Sequence, residues 1–288
     1  MENKNLGILG GGISALAFAY FYEKNIEIIE KESTLGGLCR SFEDDDGVSW
    51  DIGPHISFSK NKEILDFIVS LTPMNKLKRS NRIVHDGRFI KYPFENDLFS
   101  LSEKDKDYCL NTFLDNPYEN YPSSNMLEFF YATFGEGITR LFLEPYNRKI
   151  WKYETTFMDK QMVERIPKPP AQDIIDSASG KETEGYLHQL YFHYPKEGGF
   201  QSLVDSLVLK IQNYTKFHLN NEIKKVDISD SIKITTKSDQ FEFDNVISTM
   251  PIHELLPLIN PAPPEEVITA LKNLMYNSIH ITCIKVKG

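Results

Sequence analysis

A chain of 288 residues, 41% hydrophobic and 25% charged, can bury a substantial core and has the make-up of a soluble globular protein. Its net charge of −9 argues against a general nucleic-acid binder, which needs clustered Lys and Arg, but leaves room for a local basic pocket around one diphosphate. No apolar stretch is long enough to span a bilayer, so no stable membrane insertion is expected. Cys39, Cys109 and Cys283 are scattered and odd in number, and the seven histidines lack metal-ligand spacing. Neither a disulfide framework nor a metal is expected, and a cytoplasmic setting fits. The opening Met1-Glu2-Asn3-Lys4-Asn5 runs straight into the first strand, without room for a signal peptide.

That strand is the apolar run Leu6-Gly7-Ile8-Leu9. Gly10-Gly11-Gly12-Ile13-Ser14-Ala15 follows in the pattern G-x-G-x-x-A. A helix through Leu16, Ala17, Ala19 and Tyr20 comes next, then a second strand, Ile26-Glu27-Ile28-Ile29, ending at Glu30. Strand, glycine turn, helix, strand and acid in this order make a dinucleotide-binding βαβ unit. Gly10 permits the tight turn, and Gly12 lets the backbone approach a pyrophosphate at the positive end of the helix. Ser14 lies in the same turn, and Ala15 is small enough for close packing of helix on strand. Glu30, twenty residues after Gly10, is placed to accept hydrogen bonds from ribose hydroxyls.

The next stretch, Glu30-Lys31-Glu32-Ser33-Thr34-Leu35-Gly36-Gly37-Leu38-Cys39-Arg40-Ser41, resembles the second glycine motif of the flavoprotein superfamily that holds amine oxidases, protoporphyrinogen oxidases and UDP-galactopyranose mutases. Gly36 and Gly37 would turn backbone N–H groups toward a phosphate, and Arg40 would add charge there. The resemblance makes FAD the expected cofactor and brings Lys31 and Leu38 into its binding set. Cys39 reads as a small core filler.

Residues 48–58 carry Gly53-Pro54, a turn signal, with His55 just beyond. By spacing alone His55 is a hydrogen-bonded core histidine. The segment is similar to the G-P/G-H-I/V-x-F stretch of the mutases, which passes over the flavin ring, and that likeness makes Gly53, Pro54 and His55 cofactor contacts and His55 a catalytic candidate. Lys62–Leu71 has a helical period, and residues 82–92 form a hairpin about Asp86-Gly87. Tyr92-Pro93-Phe94-Glu95-Asn96-Asp97 is similar to a Y-P-F-Q-N-N run of the mutases that contacts the sugar nucleotide. Tyr92 matches. Glu95 departs, setting a carboxylate where an amide is usual, and a carboxylate near a diphosphate is repulsive unless a cation intervenes.

Residues 98–160 read as helical. Within them, residues 134–151 match an F-G-x-G-I-x-x-x-F-x-x-P-Y-N-x-K-x-W run shared by eukaryotic-type mutases and bacterial protoporphyrinogen-oxidase-like flavoproteins. Asn147 and Trp151, four apart, share a helix face. The resemblance places both in the sugar-nucleotide cleft, although Trp151 would equally serve as a core residue. Glu164-Arg165-Ile166-Pro167 resembles the mutase segment whose arginine grips the diphosphate, which makes Arg165 a substrate-binding and catalytic candidate. Its bland alternative is a surface arginine paired with a nearby acid.

Residues 167–185, rich in Pro, Ser and charge, read as a surface connection. Tyr194-Pro195-Lys196-Glu197-Gly198-Gly199-Phe200 is similar to the segment returning the chain to the FAD domain. A helix through Leu203, Leu207, Leu209 and Ile211 follows, then strands at 221–226, 232–236, 241–243 and 245–249. Ile223 matches the residue whose backbone holds the adenine in this superfamily. A helical, proline-punctuated segment spans 251–271, and 280–288 reads as a final strand.

The expected architecture is α/β. A discontinuous Rossmann-like FAD domain (1–75 and 190–250) accompanies an inserted helical and β-sheet substrate domain (76–189 and 251–288). The chain resembles only the N-terminal part of a family member, and a second diphosphate-gripping arginine falls in the part without a counterpart here. The resemblance implies a mutase-like isomerase acting on a nucleotide sugar for cell-surface polysaccharide synthesis, with reduced flavin as the nucleophile at the anomeric carbon. An oxidoreductase of the amine oxidase and protoporphyrinogen oxidase type, and a flavin-binding chain without turnover, are the alternatives. Fold alone does not choose among them.

Overall fold

A computed structural model describes residues 5–159, 162, 168–183 and 190–286. The chain divides into two compact units, Met1–Lys76 with His193–Gly288, and Leu77–Phe192.

In the first unit, four parallel strands lie in the order Asn245–Ser248, Leu6–Leu9, Ile26–Ile29, Thr215–His218. Ile8 stands between Ile247 and Ile28. The central strand Leu6–Leu9 is a continuous, fully buried apolar run because both faces of the sheet are covered there. On one face the helices Ile13–Tyr22 and Gln201–Ile211 bury Ala15, Leu16 and Ala19 with Val204, Leu207 and Ile211. On the other, a smaller sheet (Gln240–Phe243, Ile232–Thr236, Ile223–Ile228, Ile259–Asn260) closes a core of Leu9, Ile29, Ile223, Val226, Ile234 and Phe243. Gly7 is needed here, since a Cβ on it would lie 2.6 Å from the Phe243 ring.

Two expectations need correction. Residues 251–288 group with the first unit, not with 76–189. The reason is pairing and packing: Ile259 aligns in parallel with Val226, and Leu255, Leu258 and Ile259 pack on the Phe243 core. The expected strand at 280–288 is absent from its described residues; 274–286 carry no regular structure. A strand exists only as part of a ladder, and no described strand lies beside this one.

The second unit opens with the hairpin Arg82–His85 and Arg88–Lys91, turned by Asp86 (φ 47°) and Gly87 (φ 73°), the paired positive φ of a type I′ turn. The helical stretch that follows is broken. Ser102 caps Glu103–Leu114 and Asn125 caps Met126–Ile138, each side-chain oxygen accepting an N–H of the first turn. Pro117 and Pro122 lie in the gap, where neither can continue a helix. Beyond Ile138 one wider turn, Thr139–Leu143, leads into the helix Glu144–Trp151. These elements and Ala171–Ala178 enclose Ile90, Phe94, Phe130, Phe134, Ile138 and Ile174.

The two long helices touch at Gly137, where an added Cβ would lie 2.6 Å from the Cys109 Cα. Backbone cannot yield there as a side chain can. Gly137→Ala should therefore cost about 1–3 kcal/mol by overpacking, read as a lower denaturant midpoint; an unchanged midpoint would show that the helices part without penalty.

Candidate functional site

The glycine turns of the first unit meet backbone to backbone at the carboxyl ends of the parallel strands. Gly10 (φ 93°) begins the turn, and a Cβ on it would lie 3.0 Å from Thr249 Oγ1. Gly12 caps the helix Ile13–Tyr22 without a side-chain hydrogen bond, so the first amides of that helix are left for a ligand. The Gly36 N–H donates to the Gly11 carbonyl at 2.8 Å. Gly37 (φ 57°) lies so close that its missing Cβ would be 3.1 Å from the Gly12 Cα. Gly12 itself has open space before it: the nearest atom to a Cβ there is 4.0 Å away.

Glu30 is buried between these turns. Its Oε2 accepts the Gly11 N–H at 2.6 Å, and its Oε1 accepts the Glu32 N–H at 2.9 Å. Each oxygen keeps a second lone pair for a hydroxyl donor. The Asn221 N–H donates to the Glu30 carbonyl at 2.9 Å, which ties the start of the Ile223–Ile228 strand to this acid. Gly10, Gly12, Glu30, Gly36, Gly37 and Ile223 thus gather at one place. Ser14 and Leu38 are exposed, and Ala15 is fully buried on the sheet. Lys31 ion-pairs with Glu254 at 3.5 Å. Arg40 braces the turn from within, Nε on the Gly37 carbonyl and Nη1 on Glu32 Oε2, both at 3.1 Å.

Sequence reasoning missed the link from this cradle to His55. Asp51 accepts from Ser41 Oγ (2.5 Å) and the Phe200 N–H (2.9 Å) on one oxygen, and from the Tyr194 hydroxyl (2.9 Å) on the other. The Phe200 ring lies 5.2 Å from the His55 imidazole, whose buried Nδ1 has no hydrogen-bond partner among the described residues. Gly53 and Pro54 form the turn before it, and a Cβ on Gly53 would be 3.4 Å from His55 Cε1. Burial and the Asp51 carboxylate push the Tyr194 phenol up to about 12. Burial chiefly, then the charge of Asp51, pushes the Cys39 thiol up.

In the second unit, Asn147 and Trp151 do meet, Trp151 Nε1 donating to Asn147 Oδ1 at 3.1 Å, while Asn147 Nδ2 donates to the Leu143 carbonyl at 2.7 Å. Tyr92 belongs to a different group. It lines a cavity of about 280 Å³ with Lys78, Arg79, Ser80, Asn81, Arg82, Lys91, Pro93, Glu182 and Leu190, a lining that does not include Asn147 or Trp151. Burial, Tyr146 and Glu95 push the Tyr92 phenol up, against the pull of Arg79. The cavity lining thus joins four cationic side chains, one of them paired with Glu182, to a tyrosine whose phenol is held protonated. No local pattern announced them, because they come from the end of one strand, both strands of a hairpin and the loop between. Arg165 lies outside the described residues. Among the described residues no group of His, Cys, Asp or Glu is placed to hold a metal, and no helix is long and apolar enough to cross a membrane.

Residues 15–285 match the flavin-containing amine oxidoreductases. The chain belongs to that family. Reduced UDP-galactopyranose mutase is 29% identical with a TM-score of 0.81, over 90% of this chain and 58% of that one. Protoporphyrinogen oxidase of Dictyostelium discoideum is 21% identical, over 96% of this chain and 65% of that protein. An oxidoreductase from Methanosarcina mazei, at 17% identity and a TM-score of 0.61, covers 93% of this chain and 64% of that one, and shares the fold. The chain thus spans about three-fifths of the length of these relatives. The family's cofactor is FAD, and the first unit fits it: the Cβ that Gly37 lacks would press on Gly12, the space before Gly12 is open, and the helix amides beside Gly12 are unclaimed by any capping side chain.

Gly12→Val should keep the fold, since its φ of −74° suits any residue, yet lose flavin by filling the open space. Absence of flavin absorbance in a purified, folded variant is the expected result. A second expectation concerns pH. The folded state holds the Tyr194 phenol above its ordinary value of 10, so ionisation opposes folding. Its contribution is full below pH 10 and is lost as pH rises toward 12. Tyr194→Phe should lessen the fall in thermal stability across that window.

Proposed function

We propose that the protein is a cytoplasmic flavoenzyme resembling UDP-galactopyranose mutase, interconverting ring forms of a nucleotide sugar for cell-surface polysaccharide synthesis. The observation carrying this reading is the cationic cavity around Tyr92 in the second unit. A sugar nucleotide carries a diphosphate of two negative charges, and Lys78, Arg79, Arg82 and Lys91 are what such a group needs.

In this reading Gly10, Gly12, Gly36 and Gly37 cradle the FAD diphosphate, and Glu30 accepts the ribose hydroxyls. Ile223 borders the adenine, and His55 lies against the ring. Bound FAD supplies a hydride acceptor when oxidised and a nucleophilic nitrogen when reduced. Protein side chains then have the simpler tasks of binding and orienting. The Tyr92 hydroxyl, held protonated, donates a hydrogen bond to the substrate, the cations neutralise its phosphates, and Arg165 is assigned to the same diphosphate. Asn147 and Trp151, already bonded to each other, offer the indole face for stacking.

Glu95 supports a second reading. It is buried beside Tyr92 where the mutases carry an amide, and an oxidoreductase acting on a substrate without phosphate meets no repulsion from it. The named protoporphyrinogen oxidase relative agrees with that reading.

Titration with UDP at two salt concentrations separates them. Arg79→Ala and Arg165→Ala should each weaken UDP binding by about 1.5–3 kcal/mol, the range for hydrogen bonds to charged groups, with FAD content unchanged. Arg165→Lys should restore part of the loss, since an ammonium keeps charge without the fork. Glu95→Gln should tighten binding. If the wild-type chain takes up no UDP, the oxidoreductase reading replaces the mutase reading.

A further inference from the structure

Asp51 ends the short strand Ser49–Asp51 and stands opposite Ser41 across an antiparallel pair. Its carboxylate collects three donors from distant parts of the first unit: the Ser41 hydroxyl, the Phe200 N–H and the Tyr194 hydroxyl. Ser41 is drawn in further as acceptor of the Gln201 N–H at 3.0 Å. The fit is tight enough that a Cβ on Gly199 (φ 59°) would lie 2.7 Å from Asp51 Oδ1. Phe200, pinned through its N–H, has the His55 ring on one side at 5.2 Å and the Tyr194 ring on another at 5.7 Å. Among the described residues the imidazole has no hydrogen bond at its buried Nδ1, so aromatic packing holds it.

We infer that Asp51 is a positioning residue for His55: by fixing Phe200 and Tyr194 it sets where the imidazole lies. The inference rests on the flavin reading of the first unit for its consequence, that Asp51 tunes the environment of the bound ring without touching it. A carboxylate is required because one group must accept on both oxygens at once. An amide of the same shape accepts on one only.

The test uses Tyr194→Phe, Asp51→Asn and Phe200→Leu in the full chain, with His55→Ala as reference. In the flavin-free protein, the His55 ring resonances, assigned by their loss in His55→Ala, should move in all three variants. In the FAD-bound protein, the visible circular dichroism and the reduction potential of the flavin should change, and the change made by Tyr194→Phe should vanish in the His55→Ala background, as coupled sites require. A merely structural clamp would lower the melting temperature and leave the His55 resonances, dichroism and potential at their wild-type values. That result, or effects that simply add to those of His55→Ala, overturns the inference. A wild-type chain that binds no FAD would sink the flavin reading by itself, while the ring resonances of the flavin-free protein would still decide the role of Asp51.

Discussion

Everything in the first unit depends on two glycine turns meeting without side chains between them. A Cβ on Gly37 (φ 57°) would press to 3.1 Å on the Gly12 Cα, and the Gly36 N–H to Gly11 carbonyl bond holds the two turns at that approach. That contact leaves the start of the helix Ile13–Tyr22 facing outward with its amides free. It also obliges Glu30 to be buried, because the Gly11 and Glu32 amides beside it need an acceptor. Burying a carboxylate is expensive, and it is tolerated only when its oxygens gain short, charge-assisted bonds. Here both do. The acid whose place in the sequence points to a ribose is thus the acid that closes the turn, and each of its oxygens keeps a lone pair beyond the amide it accepts.

What was legible in the sequence is what local chemistry determines. The strands at Leu6–Leu9 and Ile26–Ile29 announce themselves by apolar runs, and the Asp86-Gly87 turn by residues that accept positive φ. The glycine cradle reads from spacing, because the strand, turn and helix that carry its first glycines are consecutive, although Gly10 meets Thr249 and Gly37 meets Gly12 across the fold. Asp51 could not be read this way: its partners Tyr194 and Phe200 are 143 and 149 residues distant. The final segment failed in the opposite sense. Its alternation of Ile279, Ile281 and Cys283 has the right period for a strand, but a period describes which face would be buried and cannot supply the neighbour that makes the ladder. The expected grouping of 251–288 with the second domain fails for the same reason, since a two-residue pairing, Ile259 on Val226 and Asn260 on Asp227, ties the start of that segment to the first unit.

The cavity of the second unit presents the harder question, because its charges make opposite demands. Around Tyr92 the cations Lys78, Arg79, Arg82 and Lys91 outnumber the carboxylates Glu95 and Glu182. Two unit charges 4 Å apart interact by about 4 kcal/mol at an effective dielectric of 20. One buried acid therefore offsets part of the attraction for an anion and does not reverse it. Lys91 is itself engaged, its Nζ donating to the Thr183 carbonyl at 2.8 Å and lying 3.7 Å from Glu182, so the lining holds part of its charge in place before any ligand arrives. On the proposed reading, the four cationic side chains of the lining, rather than the single acid, are what a diphosphate would meet first.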